Sequence, residues 1–251
     1  MIGTKLPRRV ILSPNIEPRA SGKFPRLLIL HYTGMETAEL ACNWLCTGES
    51  RVSCHYLVDE AGRITQMVGE EMRAWHAGVS TWEDEVDVNS SSIGIEIHNP
   101  GHSGGYPDFP ERQMIAVSAL SQDIVNRHNI LPQHVLAHSD VAPGRKIDPG
   151  EKFDWRFLHA QGVGHWVEPM AIVSGVFLQQ GDCGEPVSAL QGLLKMYGYG
   201  IDINGQYGDR TRVVVEAFQR HFRPQRVDGI ADQSTVATLH TLLKARPAAV
   251  A

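Results

Sequence analysis

From Leu27 to Leu158 short apolar runs alternate with amphipathic stretches, and each pattern specifies an element. Leu27-Leu28-Ile29-Leu30 is continuously apolar, as in a strand buried on both faces, and it ends in His31-Tyr32-Thr33-Gly34. Thr37 to Leu45 has helical spacing, with Thr37 as cap and Leu40, Trp44 and Leu45 as the apolar face. Ser53 to Val58 and Arg63 to Val68 flank the turn Asp59-Glu60-Ala61-Gly62 and predict a hairpin. Ser92 to Asn99 alternates most regularly, placing Ile93, Ile95 and Ile97 on one face and Gly94, Glu96 and His98 on the other. Pro110 to His128 reads as a helix with Glu111 in its first turn and Val117, Leu120 and Ile124 at helical spacing. Leu131-Pro132 ends it, His134 to Ala137 is a further short strand, and Phe153 to Leu158 a short helix. The proline-rich residues 1–25 are expected to run as an extended arm over the first strand. Strands alternating with helices, plus one hairpin, predict an α/β fold with a mixed central sheet flanked by helices.

From Gln161 to Gly181 the periodicity stops and glycines accumulate, which reads as a linker over 161–181. Three amphipathic faces follow: Val187, Leu190, Leu193 and Leu194; then Thr211, Val214, Val215 and Phe218; then Thr235, Val236, Leu239, Leu242 and Leu243. Asn204-Gly205 and Asp228-Gly229 mark the turns before the second and third. The phrases around those turns echo each other, which suggests an internal duplication. The expected organisation is a domain over 1–160, the linker, and a small three-helix bundle over 182–245, a size that can fold alone.

Composition narrows the class. A hydrophobic content of 42% with 20% charged residues describes an ordinary globular chain, and a net charge of −5 without a basic run argues against nucleic acid as a partner. No apolar stretch approaches the ~18 residues of a membrane span. The basic segment Met1 to Arg9 lacks a following apolar region, and Cys42, Cys46, Cys54 and Cys183 form no CxxC pair. Free thiols and no leader favour the cytoplasm; the alternative is the cell envelope, should the native N-terminus differ.

The chemistry gathers around His138-Ser139-Asp140-Val141-Ala142-Pro143-Gly144-Arg145-Lys146-Ile147-Asp148-Pro149-Gly150. Its proline and glycine residues exclude helix and dictate an irregular loop. Taken singly, His31 reads as a core histidine and the loop as a polar turn. Taken together, His31, His138 and Asp148 make the three-protein-ligand set of a catalytic zinc, with the fourth position left open. A carboxylate in mid-strand is costly unless its face is a polar cleft, so Glu96 suits a base. Lys146, two residues from Asp148, points the same way in extended geometry and suits an oxyanion partner. This is the equipment for metal-assisted hydrolysis of an amide or ester.

Five segments, in order, resemble the zinc-dependent N-acetylmuramoyl-L-alanine amidases, a family of bacterial wall amidases, phage amidases and peptidoglycan recognition proteins. They are Leu30-His-Tyr-Thr-Gly, Val52-Ser-Cys-His-Tyr-Leu-Val, Ala74-Trp-His-Ala-Gly, Ser92-Ile-Gly-Ile-Glu-Ile and the loop 138–150. The resemblance covers about residues 10 to 160. It implies zinc held by His31, His138 and Asp148, with Glu96 and Lys146 catalytic and Tyr32, His76, Asn99 and Arg145 contacting substrate. The implied reaction cleaves the bond between the muramic acid lactyl group and L-alanine, in peptidoglycan or in muropeptide fragments. Some relatives carry a catalytic tyrosine where Cys54 stands here, a departure that favours the branch using Glu96 and leaves Cys54 as packing. Residues 182–245 resemble a three-helix peptidoglycan-binding module, through Ala189-Leu-Gln-Gly-Leu-Leu, Asn204-Gly-Gln-Tyr-Gly and Ala217-Phe-Gln.

Two alternatives stay open at the level of sequence. One is a catalytically silent peptidoglycan receptor, disfavoured because all three ligands, the base and the lysine are present. The other concerns substrate: the helical module points to polymeric wall, the free cysteines to soluble anhydromuropeptides.

Overall fold

The computed structural model describes residues 1–246. In chain order the elements are β1 (Arg9–Val10), β2 (Ile16–Pro18), β3 (Leu27–Tyr32), α1 (Ala38–Leu45), β4 (Tyr56–Val58), β5 (Ile64–Gln66), β6 (Met72–Ala74), α2 (Val88–Ser91), β7 (Ser92–Ile97), α3 (Glu111–His128), β8 (Val135–Ala137), α4 (His138–Val141), α5 (Trp155–Ala160), α6 (Glu185–Tyr197), α7 (Asp209–Phe222) and α8 (Gln233–Ala245). Six strands form one mixed sheet in the order β1-β5-β4-β7-β3-β8, and β2 pairs with β6 in a separate ribbon. Only the β4–β5 hairpin is antiparallel within the large sheet.

The register explains the apolar pattern. Leu28 lies opposite Ile93, Leu30 opposite Ile95 and Tyr32 opposite Ile97, while Ile29 faces Gly94 and His31 faces Glu96. Leu28, Leu30, Ile93, Ile95 and Ile97 pack against Val117, Leu120 and Ile124 of α3 and Leu158 of α5. Leu27, Ile29 and Leu136 project from the other face, into one cluster with Trp82 and with Val187, Leu190, Leu194, Val214, Phe218, Leu239 and Leu242 of the C-terminal helices. The expected bundle is present, but its core is continuous with the sheet: α6 to α8 form the second layer. Three short helices enclose little apolar surface by themselves, so covering the sheet extends what they bury.

The duplication is visible in hydrogen bonds. Gln191 accepts from the backbone N–H groups of Asn204 and Gly205 and donates to Asn204, Gln206 and Thr211. Gln219 repeats the arrangement with Asp228, Gly229, Ile230 and Thr235. A buried amide with all its sites used locks each turn to the preceding helix.

Three expectations are corrected. The N-terminal arm does not cover the first strand; it places β1 beside β5 at the far sheet edge and β2 on β6. Helix α1 is capped by Thr37 as expected, yet it buries Ala41, Cys42 and Leu45 and leaves Leu40 and Trp44 about half exposed. Size misled there, since the smaller residues fit the close approach. The loop after β8 opens with one helical turn, α4, because its first proline comes only at Pro143.

Candidate metal centre and active site

The sheet register assembles most of the site. His31 ends β3, Glu96 lies opposite it on β7, and His138 follows β8 on the same face as Leu136, which faces Ile29. Three adjacent parallel strands thus deliver their functional groups at their carboxyl ends, where open α/β sheets bind ligands. Asp148 returns from the loop, whose Ser139 N–H donates to the Asp148 carbonyl at 3.0 Å.

His31 Nδ1 lies 2.9 Å from His138 Nδ1 and 3.2 Å from Asp148 Oδ2, and His138 Nδ1 lies 3.0 Å from the same oxygen. All three residues are buried, and they are the one such group among the described residues. Burial alone would raise the Asp148 carboxyl, but the facing imidazoles of His138 and His31 outweigh it and hold it well below the usual carboxylate range. Burial, aided by the neighbouring His138, pushes His31 down to about 4. A neutral imidazole beside an ionised carboxylate is the protonation state in which both are ligands.

The outward nitrogens fix the tautomers. His138 Nε2 donates to the Ala77 carbonyl at 3.1 Å, leaving its Nδ1 lone pair in the cluster. Ser92 donates its hydroxyl to the Val88 carbonyl at 2.6 Å, so its oxygen accepts from His76 Nε2 at 3.1 Å. His76 Nδ1 is therefore an acceptor, 3.0 Å from His31 Nε2, and His31 Nδ1 is bare. Burial lowers the pKa of His76 well below the ordinary histidine value, with His31 and His55 adding to the shift, which keeps this row neutral. Gly94 makes room for it: a Cβ there would fall 2.5 Å from the His76 ring.

Beside the cluster lies a groove of about 380 Å³. Its polar side includes Glu96, Arg145 and Lys146, and its apolar side Met35, Trp44, Val52 and Trp75. One Glu96 oxygen, Oε2, is shut away from solvent without a hydrogen-bond partner among the described residues. Burial first, then the negative charge of Asp148, raise the Glu96 pKa well above the usual range, with Lys146 opposing. The thiol of Cys54 is buried, donates to the Tyr56 carbonyl at 3.0 Å, and is pushed well up by burial and the nearby Glu96. It packs under Glu96 and offers no thiolate.

The other expected contacts divide. Tyr32 lines the groove, and its hydroxyl reaches His102 Nδ1 at 3.1 Å. Arg145 also lines it, with its guanidinium donating to the Val79 carbonyl at 3.0 Å and to the Ala77 carbonyl. His76 also lines the groove, with one ring nitrogen against His31 Nε2 and the other against the Ser92 hydroxyl. Asn99 is not in the groove: its amide spans the Pro107 carbonyl and the Gly101 N–H. The exposed Trp44 was missed, because helical spacing alone assigned it to the buried face.

Residues 21–151 match the family described as N-acetylmuramoyl-L-alanine amidase, and residues 183–239 the one described as a putative peptidoglycan binding domain. The N-acetylmuramoyl-L-alanine amidase AmiD of Escherichia coli (strain K12) is 36% identical over 242 residues, covering 90% of this chain and 86% of that protein. The 1,6-anhydro-N-acetylmuramyl-L-alanine amidase AmpD of Haemophilus influenzae is 31% identical over 169 residues, which are 60% of this chain but 90% of that one. Among solved structures, AmiD from E. coli in complex with the substrate anhydro-N-acetylmuramic acid-L-Ala-D-gamma-Glu-L-Lys is similar, with a TM-score of 0.75 and 35% identity over 91% of this chain and 93% of that one.

Proposed function

Because the chain belongs to the N-acetylmuramoyl-L-alanine amidase family, we propose that it hydrolyses the amide between the muramic or anhydromuramic lactyl group and L-alanine in peptidoglycan-derived muropeptides. The observation that carries this reading is the convergence of His31 Nδ1, His138 Nδ1 and Asp148 Oδ2 within 3.2 Å beside an open groove. Two nitrogens and one carboxylate oxygen, with no fourth protein ligand among the described residues, fit a catalytic zinc. Bound there, zinc supplies Lewis-acid polarisation of the scissile carbonyl.

The chain's own groups supply the rest. Glu96, at the groove floor, takes the proton from the attacking water and returns it to the departing amine of L-alanine as the C–N bond breaks and the C–O bond forms. Its burial raises its proton affinity well above that of a free carboxyl, which favours its holding the proton between the two transfers. The Lys146 ammonium lines the groove without a hydrogen bond or ion pair to any described residue, so its charge is free to face negative charge developing on the carbonyl oxygen. Tyr32, Trp44, Trp75 and Arg145 form the walls that meet sugar and peptide.

The purified holoenzyme is expected to release peptide from soluble anhydromuropeptides and to stop when the metal is chelated. Full activity after complete zinc removal would sink the mechanism. The match of residues 183–239 to a putative peptidoglycan binding domain favours polymeric wall as a second substrate. Relative rates on intact sacculi and on soluble anhydromuropeptides decide between the two.

A further inference from the structure

Asp140, two residues after His138, is completely buried, and its carboxylate is held from both layers of the molecule. Oδ2 accepts from the Ala137 backbone N–H at 2.8 Å, which closes the α4 turn. The other two donors come from the C-terminal layer: Tyr199 hydroxyl to Oδ1 at 2.7 Å, and His221 Nδ1 to Oδ2 at 2.6 Å. A carboxylate only accepts, so His221 carries its proton on Nδ1. Trp155 stacks on the His221 ring at 3.7 Å between centroids and fixes its plane.

The same helix continues along the loop. Arg210 Nη1 donates to the Pro143 carbonyl at 3.2 Å, Val213 packs 3.1 Å from where a Cβ on Gly144 would lie, and Arg220 Nε lies 3.5 Å from Glu151 Oε2. Gly144 has φ +81°, so the backbone conformation and the close approach both require glycine there. These four contacts of α7 are spread along residues 140–151, the segment that begins beside His138 and contains Asp148.

We infer that the C-terminal layer is a structural part of the metal centre: through Asp140 it sets the α4 turn and thereby the position of His138, with His221 of α7 and Tyr199, between α6 and α7, as the positioning residues. The inference rests on the proposed metal-binding role of His31, His138 and Asp148. The H. influenzae AmpD match spans 90% of that protein but only 60% of this chain. Here the layer tunes how firmly the loop holds its ligands. Outer partners of metal ligands contribute about 10- to 100-fold in metal affinity, and Asp140 acts one step further away, so the lower end applies.

The test uses zinc-loaded, full-length protein and reads zinc release to an excess of chelator, together with the visible absorption of the cobalt(II)-substituted form. His221→Phe keeps the ring against Trp155 and removes the donor; zinc release should accelerate about tenfold and the cobalt spectrum should shift. His221→Asn restores a donor at the Nδ1 position and should return release to near the wild-type rate. Tyr199→Phe, which removes one hydroxyl and is the milder perturbation of folding, should accelerate release about threefold. Wild-type release rates and an unchanged cobalt spectrum in both His221→Phe and Tyr199→Phe would overturn the inference. A His31→Ala control separates the levels. If it binds no zinc while His221→Phe behaves as wild type, only the positioning role falls; if it retains zinc, the metal site and the inference fall together.

Discussion

His31 and the pair His138–Asp148 meet at one point but are held by different means. His31 is the fifth residue of a central strand, hydrogen-bonded in register to β7, with its outer nitrogen against the buried row His76–Ser92–Val88. His138 and Asp148 lie at the ends of a loop carrying two prolines between or beside them, and that loop leans on a helix some seventy residues further along the chain. A strand-borne ligand has its direction set by the ladder, whereas a loop-borne pair has two orientations to fix and borrows a scaffold to do so. The candidate metal site thus combines a strand-held half with a braced half, and the braced half takes buried hydrogen bonds from the C-terminal layer.

The largest expected effect tests whether the halves are equal as ligands. His31→Ala and Asp148→Ala should each reduce zinc content and turnover to background, measured by elemental analysis and peptide release. Zinc retained by one variant and lost by the other would mean that the cluster is not a three-ligand site. The halves should part next at Lys146, which belongs to the loop but holds no metal. Lys146→Ala should keep zinc and lose about 10²–10³ in kcat. Full activity there would remove the oxyanion role.

On the strand side, His76→Phe should leave the groove walls intact and weaken zinc affinity by about 10- to 100-fold, because His31 loses the partner that fixes its tautomer. Competition with a chelator of known affinity reads this directly. If affinity were unchanged while peptide binding fell, His76 would be a substrate contact after all.

The smallest effect concerns a clasp between the layers that lies away from the metal. Glu83 accepts from His134 at 3.3 Å and from Arg246 at 2.6 Å, and its N–H donates to the Gly198 carbonyl at 2.7 Å. The His134 hydrogen bond exceeds the opposing effect of burial and, together with the charges of His134 and Arg246, holds its carboxyl down at about 2. A carboxyl lowered by folding contributes its stability fully above the unfolded value near 4.5 and loses it as pH falls through 2. Partial exposure reduces the contribution to about 1 kcal/mol. Thermal unfolding of Glu83→Gln should therefore fall below wild type at pH 6 and converge with it near pH 2. Equal stabilities at pH 6 would show that the clasp contributes nothing.

Much of this was legible because it depends on short-range periodicity. Ile93, Ile95 and Ile97 had to share a face, so Glu96 had to lie on the other, next to whatever β3 presented. The continuous run Leu27 to Leu30 required cover on both sides, and the structure supplies it with α3 on one face and the C-terminal helices on the other. The echo between the two Asn/Asp-Gly turns corresponds to matching Gln191 and Gln219 networks. The orientation of α1 was not legible, since Ala41 and Cys42 outrank Leu40 and Trp44 only once the neighbouring surface is known. The placement of His76 was not legible for the same reason. A histidine beside a tryptophan in a small-residue loop has the same local signal whether it faces a groove or, as here, fills the space left by Gly94 behind His31.

The sequence by itself determined the alternation of elements, the residue types of the candidate cluster and the loop that carries two of them, because strand period, helix period and proline or glycine geometry act over a few residues. Only the tertiary structure decided that Asp140 is clasped by Tyr199 and His221 and that His31 is backed by His76. Those relations join residues 81, 59 and 45 positions apart. No local preference encodes them; they exist because packing two layers on one sheet leaves buried polar groups that must find their partners across the interface.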